Sequence, residues 1–276
     1  MPSPAGPLAA LTVEGVSVAF GGVRALTGVS LHVQPGEIVG VIGPNGAGKT
    51  TLFDCVSGHL PCTGRVRLGD VELTGLAPHR RAAAGLGRSY QDARLYPSLT
   101  VFDTLRTASE LVLRRQGLLA KVPGTPASRR AETGASQAAS DMVELMGLQA
   151  YAGKFVRELS TGTRRIVDLG CLLVQRPKVI LFDEPSSGIA QREAEALGPL
   201  LGRIRDETGA ALLLIEHDMP LLLGISDRLY ALETGQVVTS GAPNDVVRDP
   251  RVVASYLGDD VAAINRSGTA RTLTGA

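Results

Sequence analysis

The stretch Ile38-Val-Gly-Val-Ile42-Gly43-Pro44-Asn45-Gly46-Ala47-Gly48-Lys49-Thr50-Thr51 runs from an apolar strand through a glycine loop into the start of a helix. Its second half fits the pattern G-x-x-x-x-G-K-[ST]. Glycine lets such a loop curl until backbone N–H groups point into one concavity, and the following helix adds its positive N-terminus. The concavity suits the β- and γ-phosphates of a nucleotide. Lys49 places a point charge on the same oxygens, and the Thr50 hydroxyl is positioned to ligate Mg2+. A turn that merely joined strand to helix would have no need of the Lys49-Thr50-Thr51 tail.

Around this stretch the sequence organises into two rhythms. Short β-type segments come first: Leu11–Phe20, Leu26–Val33 and Ile38–Ile42, then Arg65–Leu68 and Val71–Leu73 about a Gly69-Asp70 turn. Ala93–Glu158 reads as helix throughout, with Val101–Arg115, a Pro/Gly/Ser-containing loop or broken helix at Gln116–Ser128, and Arg129–Met146. From Gly162 helices and strands alternate: Thr163–Gln175 into Val179–Phe182, Arg192–Thr208 into Ala211–Ile215, Met219–Ile225 into Arg228–Leu232. This alternation predicts a mainly parallel sheet covered on both faces by helices. Val237–Thr239 is expected to close an antiparallel hairpin over the Thr234-Gly235 turn. The simplest organisation is a single domain over 11–258, its core at about 11–92 and 160–258, with a helical insert at about 93–159. Frayed tails are expected at 1–10 and 260–276.

Val179-Ile-Leu-Phe182-Asp183-Glu184 is an apolar run that ends in two carboxylates. A strand buried on both faces is polar only where it emerges, and open α/β sheets bind ligands at that carboxyl end. Asp183 can hold Mg2+ there, and Glu184 can orient and deprotonate an attacking water. Either acid alone would suit a helix cap or a solvated surface; paired with the phosphate loop they read as a reaction centre.

Composition narrows the setting. The 276 residues carry 28 Lys plus Arg against 27 Asp plus Glu, a formal charge of +1, which argues against a general nucleic-acid binder. No apolar run reaches the roughly 18–20 residues that span a bilayer. Met1–Ala10 lacks the cationic start and apolar core of a secretion signal. Cys55, Cys62 and Cys171 are three in number and lack C-x-x-C spacing, so neither a disulfide frame nor a zinc site is supported, and a reducing cytosol fits.

Over about Leu11–Gly258 the chain resembles the ATP-binding subunit of ABC transporters, most closely the branched-chain (hydrophobic) amino acid uptake family. Beyond the loop and the acidic strand, Gln91 resembles the Q-loop glutamine and Leu159-Ser160-Thr161-Gly162-Thr163 the LSGGQ signature. His217 in Glu216-His217-Asp218 resembles the switch histidine, and Phe20 lies where the family keeps an aromatic that stacks on adenine. The resemblance implies an ABC ATPase fold with an N-terminal antiparallel β part and an inserted helical subdomain, and ATP and Mg2+ as ligands. Glu184 and His217 would be catalytic, Thr50, Gln91 and Asp183 would serve the metal, and Ser160, Thr161, Gly162 and Thr163 would act in trans on the nucleotide of a second subunit, identical or paralogous. It also implies transmembrane permeases, a substrate-binding protein, no nucleic acid, and a place at the cytoplasmic face of the membrane. Leu95, Tyr96, Leu99 and Val101 are candidates for the groove that meets a permease.

Three positions depart from the family pattern: Thr161 replaces a glycine, Thr163 a glutamine, and Ala190 an acid. The narrower assignment rests on Gly87–Tyr96, on the insert with Arg129-Arg130, and on Val253-Ala-Ser-Tyr256-Leu257-Gly258. Lipopolysaccharide-export ATPases share the terminal Tyr-Leu-Gly but have a shorter insert. Such an exporter and a soluble ABC ATPase are the alternatives, and related importers of amides or organic acids leave the cargo open.

Overall fold

A computed structural model describes residues 10–90, 95–113, 126–188 and 191–256. Ten strands form two sheets among these residues. The first is antiparallel, in the order β2-β1-β4-β5, from β1 (Leu11–Phe20), β2 (Val23–Val33), β4 (Thr63–Leu68) and β5 (Val71–Glu72). The second has six strands in the order β10-β9-β3-β8-β7-β6. It comprises β3 (Ile38–Ile42), β6 (Leu86–Ser89), β7 (Val179–Asp183), β8 (Ala211–Ile215), β9 (Arg228–Glu233) and β10 (Gln236–Gly241). All its neighbours are parallel except β10, which returns antiparallel on β9 as the Thr234-Gly235 turn predicts.

The apolar runs have the double burial expected of a parallel sheet. Alternate residues of one strand enter different cores: Ile38 and Ile42 of β3 join Ile180, Phe182, Leu212 and Leu214 on one face. Val39 and Val41 join Val179, Leu181, Leu213 and Ile215 on the other, where the antiparallel sheet and α1 (Lys49–Ser57) pack. Filling both faces with branched aliphatics is what makes these strands read as unbroken apolar segments.

Helices α3 (Val101–Leu113) and α4 (Pro126–Leu145) pack on α5 (Thr161–Leu173) through Leu105, Met142, Met146, Leu169 and Leu173. The segment 93–158 is not helix throughout. Thr100 caps α3 by accepting the Asp103 N–H, and Gly147 ends α4 with φ 67°. The chain between α4 and α5 then forms short 3-10 turns at Gln149–Tyr151 and Val156–Glu158, tied to the start of α3 by Val101 N–H to Lys154 O and Val156 N–H to Leu99 O. Val101 is fully buried in the core, which removes it from the candidate permease groove; Tyr96 is exposed, and Leu95 and Leu99 are half-buried. Most of the expected broken segment Gln116–Ser128 and, apart from Ala10, both tails lie outside the described residues.

Three of the labelled elements were not anticipated, α2 (Pro78–Ala84), β6 and α8 (Pro243–Val246). β6 is four residues containing Gly and Arg, too short for a period, and it pairs with β7 at a separation of 93 residues, Leu86 opposite Val179. The remaining helices of the alternation, α6 (Gln191–Thr208) and α7 (Met219–Ile225), follow strands as it predicts.

The β9–β10 turn bears directly on the loop at 43–51. Gly235 N–H donates to Ala47 O at 3.0 Å, and Gly235 O accepts from Thr27 N–H at 2.8 Å. Gly235 has φ 76°, and a Cβ there would lie 2.4 Å from Ala25 O. Replacing it by alanine adds backbone strain to a backbone collision, about 2–4 kcal/mol together. We expect Gly235→Ala to lower the unfolding midpoint by roughly 5–15 °C in a thermal melt; an unchanged midpoint would refute this packing account.

Candidate active site

The register of three parallel strands brings the chemistry together. Ile215 at the end of β8 is level with Val41 of β3 and with Asp183 of β7. The residues that leave the sheet at this edge are therefore the loop at Gly43, the Glu216-His217 pair, and Glu184. They lie at the carboxyl ends of strands, where polar groups emerge from a buried sheet.

The loop closes onto α1 through Gly48, the left-handed N-cap at φ 100°. Ala47 N–H donates to Pro44 O, and Ala47 itself is buried, whereas Asn45, Gly46 and Thr50 are exposed. The space over Gly46 is open. The first N–H groups of a helix precede any intrahelical acceptor, so the Thr50 and Thr51 amides present the dipole's positive end at the loop mouth. Lys49 is 7% exposed and its Nζ donates to Gly43 O at 2.6 Å and Pro44 O at 3.1 Å. At the far end of α1, buried Arg81 donates to Cys55 O and Val56 O, satisfying terminal carbonyls. The helix is thus held at its C-terminus while its N-terminus faces solvent.

Glu184 sits where a side chain rarely does, at φ 50°. That conformation costs on the order of 1–3 kcal/mol and persists only where the surroundings impose it. Here Glu184 N–H donates to Ile215 O at 2.9 Å, and Glu184 O accepts from Ser187 N–H and from the buried Arg165 guanidinium, each at 3.0 Å. The result aims the carboxylate across to β8, where Glu184 Oε1 lies 2.9 Å from His217 Nε2. Two ring-and-carboxylate groups in contact beside a loop of phosphate-binding form can take a proton from water and hold the second reactant in line.

Asp183 is less open. Arg88 is nearly buried and bridges Asp183 at 3.1 Å, Asp54 at 2.6 Å and the Ser57 hydroxyl at 2.8 Å. Burial pushes the Asp183 carboxyl above its ordinary range, and the Arg88 guanidinium pulls it back. Arg88 also links α1, β6 and β7 into one edge.

The signature-like segment behaves as its residue types require. Ser160 caps α5, accepting Thr163 N–H at 3.1 Å, with its hydroxyl 2.9 Å from that of Thr163. Ser160 and Thr161 are exposed and Gly162 is buried. Phe20 ends β1 with its ring half exposed, beside the Gly21-Gly22 turn. Gln91 and Ala190 lie outside the described residues. Among the described residues no cluster of His, Cys, Asp and Glu could hold a metal by itself, and desolvation pushes the thiols of buried Cys55 and half-buried Cys171 up to about 12.

Sequence reasoning missed Arg88, Arg165 and above all Glu216. Glu216 is 3% exposed and accepts from Ser186 N–H at 2.7 Å, Ser186 Oγ at 2.8 Å, and His217 N–H at 3.0 Å. One buried carboxylate thereby fastens the turn after Glu184 to the backbone of His217. Its only signal in the sequence was a charge directly following five apolar strand residues.

These features define a nucleoside-triphosphate-binding α/β protein whose central strand carries the phosphate loop. The family model for the ABC transporter matches residues 26–187, and the chain belongs to that family. A second model, the branched-chain amino acid ATP-binding cassette transporter, matches residues 236–262. The chain is 37% identical over 250 residues to the high-affinity branched-chain amino acid transport ATP-binding protein LivG of Escherichia coli K12, covering 90% of this chain and 98% of LivG. It is 36% identical over the same length and shares to BraF of Pseudomonas aeruginosa. The lipopolysaccharide export ATP-binding protein LptB of Escherichia coli K12 is more distant, 32% identical over 254 residues, covering 92% of this chain and 99% of LptB. A crystal structure of an ABC transporter's ATP-binding cassette in its ADP conformation superposes with a TM-score of 0.75 at 28% identity, covering 91% of this chain and 99% of that one. The chain is an ATP-hydrolysing subunit that powers an ABC transporter.

Glu216→Gln keeps the shape of the side chain but replaces one acceptor oxygen by a donor, leaving Ser186 or His217 N–H unmatched. Turnover is expected to fall at least about tenfold while ATP affinity changes less than about threefold; native turnover in a phosphate-release assay would show that this carboxylate does not hold the reacting groups.

Proposed function

We propose that the chain binds ATP in the loop Gly43–Thr51 and hydrolyses it with Glu184 as general base and His217 as its partner, to drive import of branched-chain or related hydrophobic amino acids, small amides or organic acids. The observation that carries this reading is the 2.9 Å contact between Glu184 and His217, at strand ends level with the phosphate loop. Phe20 offers a π-face to adenine, and backbone amides with Lys49 take the phosphate oxygens. Glu184 accepts a proton from water as the water oxygen bonds to the γ-phosphorus and the bond to the β,γ-bridging oxygen breaks, that oxygen leaving with ADP, and His217 holds the γ-phosphate side of that line.

Thr50 and Asp183 supply the hard oxygen donors that Mg2+ prefers, joined in this reading by Gln91. When bound, the ion would neutralise charge on the phosphate oxygens. Asp183 must then loosen its hold on Arg88. Ser160, Thr161, Gly162 and Thr163 would meet the nucleotide of a second ABC subunit, identical or paralogous, with the α5 N-terminus turned to its γ-phosphate. In the present chain Ser160 caps its own helix through Thr163, and that bond competes with the role in trans.

The relatives support a reading of the rest of the assembly. LivG and BraF are named for branched-chain amino acid transport, and residues 236–262 match the corresponding family model. We take the partners to be transmembrane permeases and a substrate-binding protein, with this chain peripheral at the cytoplasmic face of the membrane and 11–258 acting as one ATPase unit. No helix among the described residues is long and apolar enough to cross a membrane. Deleting the chain should abolish uptake of radiolabelled leucine and leave lipopolysaccharide delivery intact; the reverse would favour the exporter reading.

Glu184→Gln is expected to retain ATP while slowing hydrolysis by about 10²- to 10⁴-fold, and Lys49→Ala to weaken ATP binding by more than about tenfold. Phosphate release at the native rate from the Glu184→Gln protein would remove Glu184 as the base.

A further inference from the structure

Gly43 N–H donates to the Tyr256 hydroxyl at 2.9 Å, a hydrogen bond spanning 213 positions of the chain. Gly43 is the first residue beyond β3, and its carbonyl accepts from Lys49 Nζ at 2.6 Å. Both polar groups of this peptide residue are therefore engaged, one by the lysine that serves the phosphates and one by a side chain from the far end of the protein. Gly43 has φ 151°, and a Cβ would fall 2.2 Å from Leu232 O, so β9 confines the residue from a third side.

Tyr256 is the last described residue of a helical segment at 250–256. Val252 of that segment is buried in the same core as Ile42, the residue before Gly43. A notch of about 270 Å³, lined by Ile42, Met219, Val247, Val252, Val253 and Tyr256, separates the segment from its supports. Met219 opens α7 two residues after His217. The segment thus faces, across this notch, both the strand that feeds the loop and the helix that follows the switch-like histidine. A phenylalanine at 256 would supply the same ring to this notch, and only the hydroxyl reaches the Gly43 amide. A backbone N–H at the end of a buried strand that loses its acceptor must find water or remain unsatisfied.

We infer that Tyr256 is a positioning residue for the phosphate loop: its hydroxyl fixes the Gly43 peptide, and through it the C-terminal segment sets the affinity of the loop for nucleotide. The bond joins the two parts of the chain that match separate family models, residues 26–187 and 236–262. The inference rests on the reading of Gly43–Thr51 as the ATP site, and its test separates the two.

The purified full chain is titrated with a fluorescent ATP analogue in the presence of Mg2+, as wild type, Tyr256→Phe and Tyr256→Ala. Tyr256→Phe is expected to weaken binding by about three- to tenfold. KM for ATP should rise by the same factor with kcat within about twofold, and the unfolding midpoint without nucleotide should stay within about 2 °C of wild type. Tyr256→Ala should bind no more than about twofold more weakly than Tyr256→Phe. Wild-type affinity in Tyr256→Phe would overturn the inference, and if Tyr256→Ala alone were impaired the role would be ring packing. A Tyr256→Phe protein that melts well below wild type would also overturn it, by assigning the effect to general stability. Failure of the wild-type chain to bind the analogue would instead refute the ATP site itself.

Discussion

Parallel pairing fixes where the reacting groups can stand. Ile215 is level with Val41 on one side and Asp183 on the other, so three segments distant in sequence must leave the sheet at one height. None of the three can slip without carrying its alternating side chains into the wrong core, because every strand is packed on both faces. Hydrophobic burial, which is non-directional by itself, is converted by the pleat into a positional constraint on a loop, a histidine and a carboxylate.

The edge so formed is stiffened by buried charge. Arg88 joins Asp183, Asp54 and Ser57; Arg165 holds the Glu184 carbonyl; Glu216 gathers donors from Ser186 and His217. Each is a nearly buried ion, Arg88 paired mainly with carboxylates and Arg165 and Glu216 with backbone or hydroxyl groups, and removing one member leaves the others uncompensated. Together they maintain Glu184 at a positive φ that its own side chain disfavours. The strain is local to the proposed base, and the bonds that sustain it come from β8 and α5.

The phosphate loop is braced in a comparable way from behind. Gly235 meets Ala47, Thr27 meets Gly235, Arg81 closes α1 at its far end, and Tyr256 meets Gly43. These contacts come from the antiparallel sheet, α2, the β9–β10 turn and the C-terminal segment, leaving the side that faces solvent open. In the proposed reading, a loop that takes a large anion without rearranging is well served by this arrangement, with rigidity supplied by neighbours and its mouth at Asn45, Gly46 and Thr50 left open to solvent.

Much of this was legible in the residues. The glycine spacing before Lys49 and Thr50 announces the turn from β3 into α1, and the run Val179–Phe182 before two acids announces a buried strand with a polar exit, because local composition reflects local burial. The alternation after Gly162 yields the parallel sheet, and Ser160 marks the start of α5 through its capping chemistry. What the residues did not disclose are β6, the non-helical stretch after Gly147, and the parts of Arg88, Arg165, Glu216 and Tyr256. Their partners lie far away in the chain, and a side chain carries no local mark of the distant backbone group it will meet. Periodicity and propensity act within a few residues and so are written in the sequence; register, the meeting of strand ends and the bracing of a loop arise only when separate segments are packed to exclude water.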